Sequence, residues 1–435
     1  MSDTEIQGLT FADLAREHGT PLFVYDGDVL ESQYRRLREH LHPRLEIFFS
    51  LKANPNISLC ALLHSLGARA EVCSLAELVT ATRAGVAPGD IIFPGPGKSP
   101  AELTACLDTG VYAIICESFG ELDLLDRIAG ERGLIAPVAL RVNPAFAVKG
   151  SGLTMGGKPR QFGIDEVQLD AAPDLVHRYR NLRFMGIHAY MGTRILDEGV
   201  IAENTRRILA LAQRLSERLG FALEMVDIGG GLGVAYFDGE RDLDPALLGE
   251  GLEPIIAEFT AAHPETRLVM ELGRYLTALA GTYAVRVRYV KTSLGQQFAI
   301  TDGGTHHHMA AVGIGSFVKR DFPLRVLAGG ETGPVESWTV TGPLCTPNDT
   351  LAKHAALPPL RPGDLLGVTR SGAYGPTASP VLFLGHGGPA EVLVHHGRAY
   401  RIRERDTAED LLRPQYLHDL TARAVPGPTS EGTEQ

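Results

Sequence analysis

Short apolar runs recur eight times along the first two-thirds of the chain, at 45–50, 68–73, 91–94, 112–116, 137–142, 184–189, 223–228 and 268–271. Runs of this length, apolar nearly throughout, have the form of strands buried on both faces. The segments between them carry apolar residues at helical spacing, as in 74–84 and 201–218. Strand and helix alternating in this way predict an α/β fold, a (β/α)8 barrel of the TIM type, which needs about 250 residues. An open doubly wound sheet is the alternative, and eight units favour closure.

The pattern changes after residue 280. Runs at 283–289, 297–301, 337–341, 364–368 and 390–394 are strand-like and separated by Gly and Pro turns, which predicts a C-terminal all-β domain. The N-terminal residues do not fit the repeat. There 21–25 reads as a strand that joins the β domain, and 27–40 leads into the barrel. The expected organisation is a barrel over 36–280 and a β domain from 1–35 and 281–424. The tail 425–435, rich in Pro, Gly, Ser, Thr and Glu, is expected to be disordered.

Composition removes several classes. At 435 residues the chain exceeds one compact core. No apolar run reaches membrane-spanning length, and Met1-Ser2-Asp3-Thr4-Glu5 lacks the basic and apolar parts of a secretory signal. The five cysteines form no CxxC pair, so reduced thiols and a cytoplasmic setting are expected. A net charge of −11 argues against general nucleic-acid binding.

In such barrels chemistry gathers where the strands end. The first run ends in Phe48-Phe49-Ser50-Leu51-Lys52. Burial there lowers an amine's pKa, and a partly neutral lysine is a nucleophile toward aldehydes. The plainer reading is a lysine that snorkels to water. The other ends weigh against it. Glu71, Cys73 and Ser74 stand at the second, Pro94-Gly95-Pro96-Gly97-Lys98 at the third, Glu117 and Ser118 at the fourth, and Arg141 and Asn143 at the fifth. The sixth delivers His188, Tyr190 and Thr193, the seventh Asp227 with Gly229, Gly230 and Gly231, and the eighth Glu271 and Arg274. A glycine triplet alone is equally a tight turn, but barrels often bind phosphate in the loops after strands seven and eight. Arg274 offers a planar fork to the same anion. Glu271 can keep a pyridine nitrogen protonated. An amine for an aldehyde, a cradle for a phosphate and a carboxylate for a pyridinium together describe pyridoxal 5′-phosphate.

Six segments then carry a resemblance. They are Phe49-Ser50-Leu51-Lys52-Ala53-Asn54, Glu71-Val72-Cys73-Ser74, Asp227-Ile228-Gly229-Gly230-Gly231, Glu271-Leu272-Gly273-Arg274, Thr341-Gly342-Pro343-Leu344-Cys345 and Ser371-Gly372-Ala373-Tyr374-Gly375. Their order and spacing, over roughly residues 15–410, resemble the fold-type III pyridoxal-phosphate decarboxylases, the group of ornithine, arginine and diaminopimelate decarboxylases. The resemblance implies that Lys52 bonds the cofactor aldehyde and Glu271 faces the pyridine nitrogen. Gly229, Gly230, Gly231, Thr193, Arg274 and Tyr374 are implied to hold the phosphate, with Glu71 and Arg141 in the same cofactor set. It further implies a homodimer with shared active sites, in which Cys345 crosses the interface to return a proton to the substrate. Read alone, Cys345 is more often an apolar-like core cysteine.

Three departures bear on substrate. Tyr190 stands where the family usually stacks a histidine on the cofactor ring, and His188 lies two residues earlier; Tyr190 is expected to stack and His188 to support it. Thr346 stands where an acid usually follows the cysteine, which weakens a free diamino-acid reading. Around Asp302-Gly303-Gly304-Thr305-His306-His307-His308-Met309 there is no arginine of the kind that binds a distal carboxylate. A smaller branch resembles this combination: decarboxylases of amino acids thioesterified to an acyl carrier protein, in butirosin-type and β-amino-acid macrolactam pathways. Its marks here include the histidine run, Tyr190-Met191-Gly192-Thr193, Met155-Gly156-Gly157-Lys158-Pro159-Arg160-Gln161-Phe162-Gly163 and Cys345-Thr346-Pro347. The implied reaction is α-decarboxylation of a carrier-bound aspartyl, 3-methylaspartyl or glutamyl group. Thr346 is an expected substrate neighbour, and His306, His307 and His308 are expected to be structural or to neighbour the substrate. No metal is expected, because adjacent histidines on an extended strand point to opposite faces. Lys319, Arg320 and Arg325, with Lys158 and Arg160, are expected either to meet the acidic carrier protein or to form a solvated face. The alternatives are a diaminopimelate or other free amino acid decarboxylase, a racemase, and a noncatalytic regulator of decarboxylases.

Overall fold

The computed structural model describes residues 4–147, 153–312, 320–331 and 333–420. The eight apolar runs form eight parallel strands: β1 Leu45–Ser50, β2 Arg69–Glu71, β3 Ile91–Phe93, β4 Ala113–Cys116, β5 Ala136–Asn143, β6 Leu182–His188, β7 Met225–Gly230 and β8 Arg267–Leu272. Neighbouring strands pair in chain order, and β8 pairs with β1 with Glu271 opposite Phe48, so the sheet closes. The expected helices are Leu75–Arg83 and Glu198–Leu219.

Strand alternation sorts the side chains into two cores. Leu45, Ile47 and Phe49 of β1 point outward to the helices. Phe48 points inward and packs with Ile92, Ala113, Ile115, Ala139, Met185, Met225 and Val269. This apolar plug fills the barrel. Two residues further along, toward the C-terminal ends, the same inward phase presents Glu117 after Ile115, Arg141 after Ala139, Asp227 after Met225 and Glu271 after Val269. The plug forms the floor of the site, and the polar ring stands on it.

The β domain is built from β9 Gly281–Ser293, β10 Gln296–Thr301, β11 Leu324–Ala328, β12 Glu336–Thr341, β13 Thr350–Leu357, β14 Leu365–Val368, β15 Ala390–His395 and β16 Arg398–Arg403. The strand Leu22–Asp26 lies between β9, antiparallel, and β15, parallel. The N-terminal segment is therefore stitched into the C-terminal domain. Asp26 then caps the helix Gly27–His40, its side chain accepting from the amides of Asp28 and Val29. Strands β11, β13 and β16 were not among the predicted runs. Half or fewer of the residues in each are buried, and β16 is an edge strand reading Arg-Ala-Tyr-Arg-Ile-Arg, so they lack the apolar runs that signal strands. The expected tail 425–435 lies outside the described residues.

Phe23 is fully buried in the N-terminal strand and stacks on Tyr283 of β9 at 4.6 Å. Phe23→Ala is expected to destabilise the protein by about 3–5 kcal/mol, read as a lower urea midpoint. Leu294→Ala, in the exposed β9–β10 turn, is expected to leave the midpoint unchanged.

Candidate active site

Lys52 sits on the single turn Leu51–Ala53 that follows β1. Its Nζ donates to Glu71 Oε1 at 3.0 Å and Oε2 at 2.9 Å, lies 3.9 Å from Glu271, and stands 5.6 Å from the Tyr190 ring centroid. Burial acts to lower its pKa, but Glu71, Cys73, Glu271 and Tyr190 outweigh burial and hold it well above the ordinary lysine value. The expectation of a partly neutral amine is corrected here. The free lysine is an ammonium because two carboxylates face it.

A cavity of about 430 Å³ opens over Lys52, within the range of small-molecule sites. Arg141, His188, Tyr190, Thr193, Glu271, Arg274 and Tyr374 line it, all expected from sequence, together with Cys73, Pro94, Pro96, Met155 and Phe162. A narrow slot sharing Lys52, Thr193, Arg274 and Tyr374 reaches Gly231. The glycine triplet is required by space. Gly229 and Gly231 have φ of +67° and +92°, and a Cβ on Gly230 would lie 1.6 Å from the Glu271 carbonyl oxygen. Arg274 is clamped between aromatics, donating from Nη1 to the Tyr236 hydroxyl at 3.0 Å and lying 4.7 Å from the Tyr374 centroid. Its buried Nε has no partner among the described residues. Tyr374 adopts φ +56°, and its amide donates to the Ala53 carbonyl at 2.7 Å, tying it beside Lys52.

At the floor, Glu271 Oε1 lies 3.4 Å from His188 Nε2, and Asp227 completes a buried triad within 4.8 Å. Burial opposes ionisation of Glu271, yet Lys52, His188 and Arg141 hold its carboxyl below the usual range. Burial and the Glu271 charge push Asp227 well up. One of the two carboxyls is ionised and the other keeps its proton. Arg141 Nη1 donates to Glu117 Oε1 at 2.6 Å and stacks 4.7 Å from the Phe162 centroid. Glu117 Oε2 in turn accepts from the Gly163 amide at 3.2 Å. Gly192–Thr193 pairs with Leu153–Thr154, so the stretch from Met155 to Gly163 folds over the cavity mouth. Asp227, Phe162 and Met155 were not assigned roles from sequence. Asp227 had a signal in its phase with Met225; the other two lie in the stretch 155–163, which forms a motif in the sequence without a role for either side chain.

These residues fit pyridoxal phosphate: an amine, a glycine cradle with an unsatisfied guanidinium nitrogen, and a buried carboxylate whose Oε1 has no hydrogen-bond partner among the described residues. The profile of the family described as "Pyridoxal-dependent decarboxylase, pyridoxal binding domain" matches residues 28–278. The chain belongs to this family. It is a pyridoxal-phosphate-dependent amino acid decarboxylase. It is 40% identical over 406 residues to the L-glutamyl-[BtrI acyl-carrier protein] decarboxylase of Niallia circulans, covering 92% of this chain and 95% of that one. It is 30% identical over 421 residues to the diaminopimelate decarboxylase of Aquifex aeolicus, covering 94% of each. Diaminopimelate decarboxylase from Helicobacter pylori complexed with L-lysine superposes with a TM-score of 0.84 at 27% identity, over 93% of this chain and 99% of that chain.

The decarboxylase brings its barrel residues and Tyr374 of the β domain together but leaves Cys345, Thr346 and the histidine triplet outside the Lys52 cavity. Cys345 is exposed, in the loop after β12. Thr346 lines a separate cavity of about 430 Å³ with Lys353 and His354. Buried Asp349 organises this loop. Its Oδ2 accepts from the Leu344 amide at 2.7 Å, and its Oδ1 accepts from the amide and hydroxyl of Thr305 at 2.7 and 3.0 Å. A Cβ on Gly304 or Gly342 would lie 2.2 or 2.4 Å from the Asp349 carboxylate, so both close approaches need glycine.

His306, His307 and His308 do not line the Lys52 cavity of their own chain. They lie in a turn after β10 rather than on a strand, and all three are buried in the β domain. His307 Nδ1 lies 3.2 Å from the Tyr283 hydroxyl and its Nε2 2.9 Å from the Gly387 carbonyl. His308 Nε2 lies 2.8 Å from Ser371 Oγ. They pack the domain interior. Of the expected basic patch, Lys319 lies outside the described residues, and Arg320 pairs with Glu240 at 3.7 Å over the Phe237 ring.

Burial pushes His306 down to about 4 and His307 and His308 down to about 3. An unfolded histidine binds its proton near pH 6.5, so below that pH the unfolded state takes up more protons than the native state. Stability is therefore complete above pH 6.5 and is expected to fall by up to about 1.4 kcal/mol per pH unit for each buried histidine on acidification toward pH 4. Urea midpoints measured at pH 7.5, 6.5 and 5.5 check this, and His308→Gln should make the decline shallower.

Proposed function

We propose that the enzyme decarboxylates the α-carboxylate of an aspartyl, 3-methylaspartyl or glutamyl group held as a thioester on an acyl carrier protein, releasing a carrier-bound ω-aminoacyl product. The observation that carries this reading is the set of cations on the cavity wall. Among the described lining residues they are Lys52, Arg141 and Arg274. Lys52 and Arg274 are committed to the cofactor aldehyde and phosphate, and Arg141 is tied to Glu117. A distal carboxylate entering this cavity would meet no uncommitted cation among the described lining residues, whereas a thioester has no charge to match. The relative that acts on a carrier-bound glutamyl group is also 40% identical, against 28–32% for the diaminopimelate decarboxylases.

Bound pyridoxal phosphate supplies the electron sink that accepts the pair left when CO2 departs. Gly229, Gly230, Gly231, Thr193, Arg274 and Tyr374 anchor its phosphate, and Tyr190 forms the wall beside Lys52. Glu271, kept ionised, would hold a proton on the pyridine nitrogen, with His188 Nε2 3.4 Å from its Oε1 and Asp227 beside it protonated. Lys52 is protonated when free, so an incoming amine that releases it leaves it as an ammonium between Glu71 and Glu271. Cys345, exposed in one chain, is the donor that a second chain brings to the cavity in a homodimer.

Lys52→Ala is expected to lose the visible absorbance band of the bound cofactor and roughly a thousandfold or more in turnover. Wild-type enzyme given aminoacyl carrier proteins, free diaminopimelate and free ornithine, with CO2 followed, separates the substrates. Turnover is expected on the carrier-bound amino acids. Efficient turnover of free diaminopimelate with none on any carrier-bound substrate would sink the proposal and leave a free amino acid decarboxylase.

A further inference from the structure

The helix Gly27–His40 and the last hairpin of the β domain meet at a cluster that decarboxylation does not use. Asp28 stands in the first turn of the helix, and His395 and His396 stand where β15 turns into β16. Asp28 Oδ1 lies 3.3 Å from His395 Nδ1 and 3.7 Å from His396 Nδ1, and the three donor atoms lie within 4.8 Å of one another. Donors about 2.0–2.1 Å from a tetrahedral zinc ion are about 3.4 Å apart, close to both spacings. Neither spacing is a hydrogen bond: His395 Nδ1 is buried with no such partner among the described residues.

The surroundings hold this geometry. A Cβ on residue 27 would lie 2.7 Å from His395 Nδ1, so Gly27 lets the ring sit against the helix. His396 takes the left-handed conformation, φ +49°, and its ring lies 3.8 Å from that of His395. On the far side of His395, Nε2 lies 3.5 Å from Glu31 Oε1. A carboxylate behind the second ring nitrogen is the usual support for a metal-bound histidine. The Asp28 and His396 side chains are 50% and 73% exposed, so an ion has a path in and room for water.

We propose that Asp28, His395 and His396 bind one divalent transition-metal ion of the zinc class, which clips the helix at the barrel entry to the last hairpin of the β domain. Two imidazoles and one carboxylate suit zinc, nickel or copper rather than magnesium or calcium. The site needs no co-reactant and stands independently of the decarboxylation proposal.

The test uses metal-stripped holoenzyme, whose cofactor fills the His188–Asp227–Glu271 region. Titration with zinc by calorimetry is expected to show one ion per chain, and excess zinc should raise Tm by about 2–4 °C. Asp28→Asn and His396→Ala should each weaken binding by about tenfold or more while decarboxylation is unchanged. His396 is largely exposed, so its variant should fold. No zinc uptake, equal uptake by wild type and a His395→Ala/His396→Ala double variant, or an equal Tm rise with magnesium would each overturn the proposal.

Discussion

An ammonium at the end of an apolar strand carries a desolvation penalty of several kcal/mol unless opposite charge comes with it. Glu71 and Glu271 bring that charge to Lys52, and their own burial is tolerable only because the lysine is there. The same constraint reaches Asp227, which keeps its proton because a second full negative charge beside Glu271 has nothing to balance it. His188 and Arg141 contribute from two further strands. The site is a buried set of charges close to balance, assembled from β1, β2, β5, β6, β7 and β8, and no member is independent of the others.

That balance needs a floor that admits no water from below. Phe48, Ile115, Met185, Met225 and Val269 provide it. Because strand side chains alternate, the step from plug to polar ring is two residues on β4, β5, β7 and β8, and three on β6, from Met185 at a bulge to His188. A one-residue slip in any strand would put a carboxylate among the outer helices and an aliphatic group under the cofactor. Gly186 shows how tight the fit is. A Cβ there would lie 1.9 Å from the Met225 carbonyl oxygen, at the bulge where β6 shifts register against β5.

This regularity is why so much of the barrel was legible from sequence. Each strand is an apolar run, each run ends in a polar residue of fixed phase, and the helices carry the opposite period. The β domain was less legible because its edge strands need no apolar run, and β16 has almost none. Pairwise geometry was not legible at all. The Lys52 ammonium depends on Glu271, 219 residues away in sequence. The histidine triplet was a motif whose role the sequence left open between structure and substrate, and only its neighbours Tyr283, Ser371 and Gly387 show how it is packed. His395 and His396 gave no sequence signal because Asp28 lies 368 positions before His396.

Decarboxylation must end with a proton delivered to carbon, and the acids on the cavity wall are poorly matched to that task. Burial pushes the Cys73 thiol well up, and its sulfur already donates to Glu71 at 2.9 Å. Burial also pushes Tyr190 up to about 12 and raises Tyr374. Groups that hold their protons so tightly are slow general acids at neutral pH. Burial is the main reason that Cys73, Tyr190 and Tyr374 hold their protons. Cys345, the proposed donor, stands instead on an exposed loop that Asp349 braces. The proposed pairing of two chains would bring that thiol to the cavity.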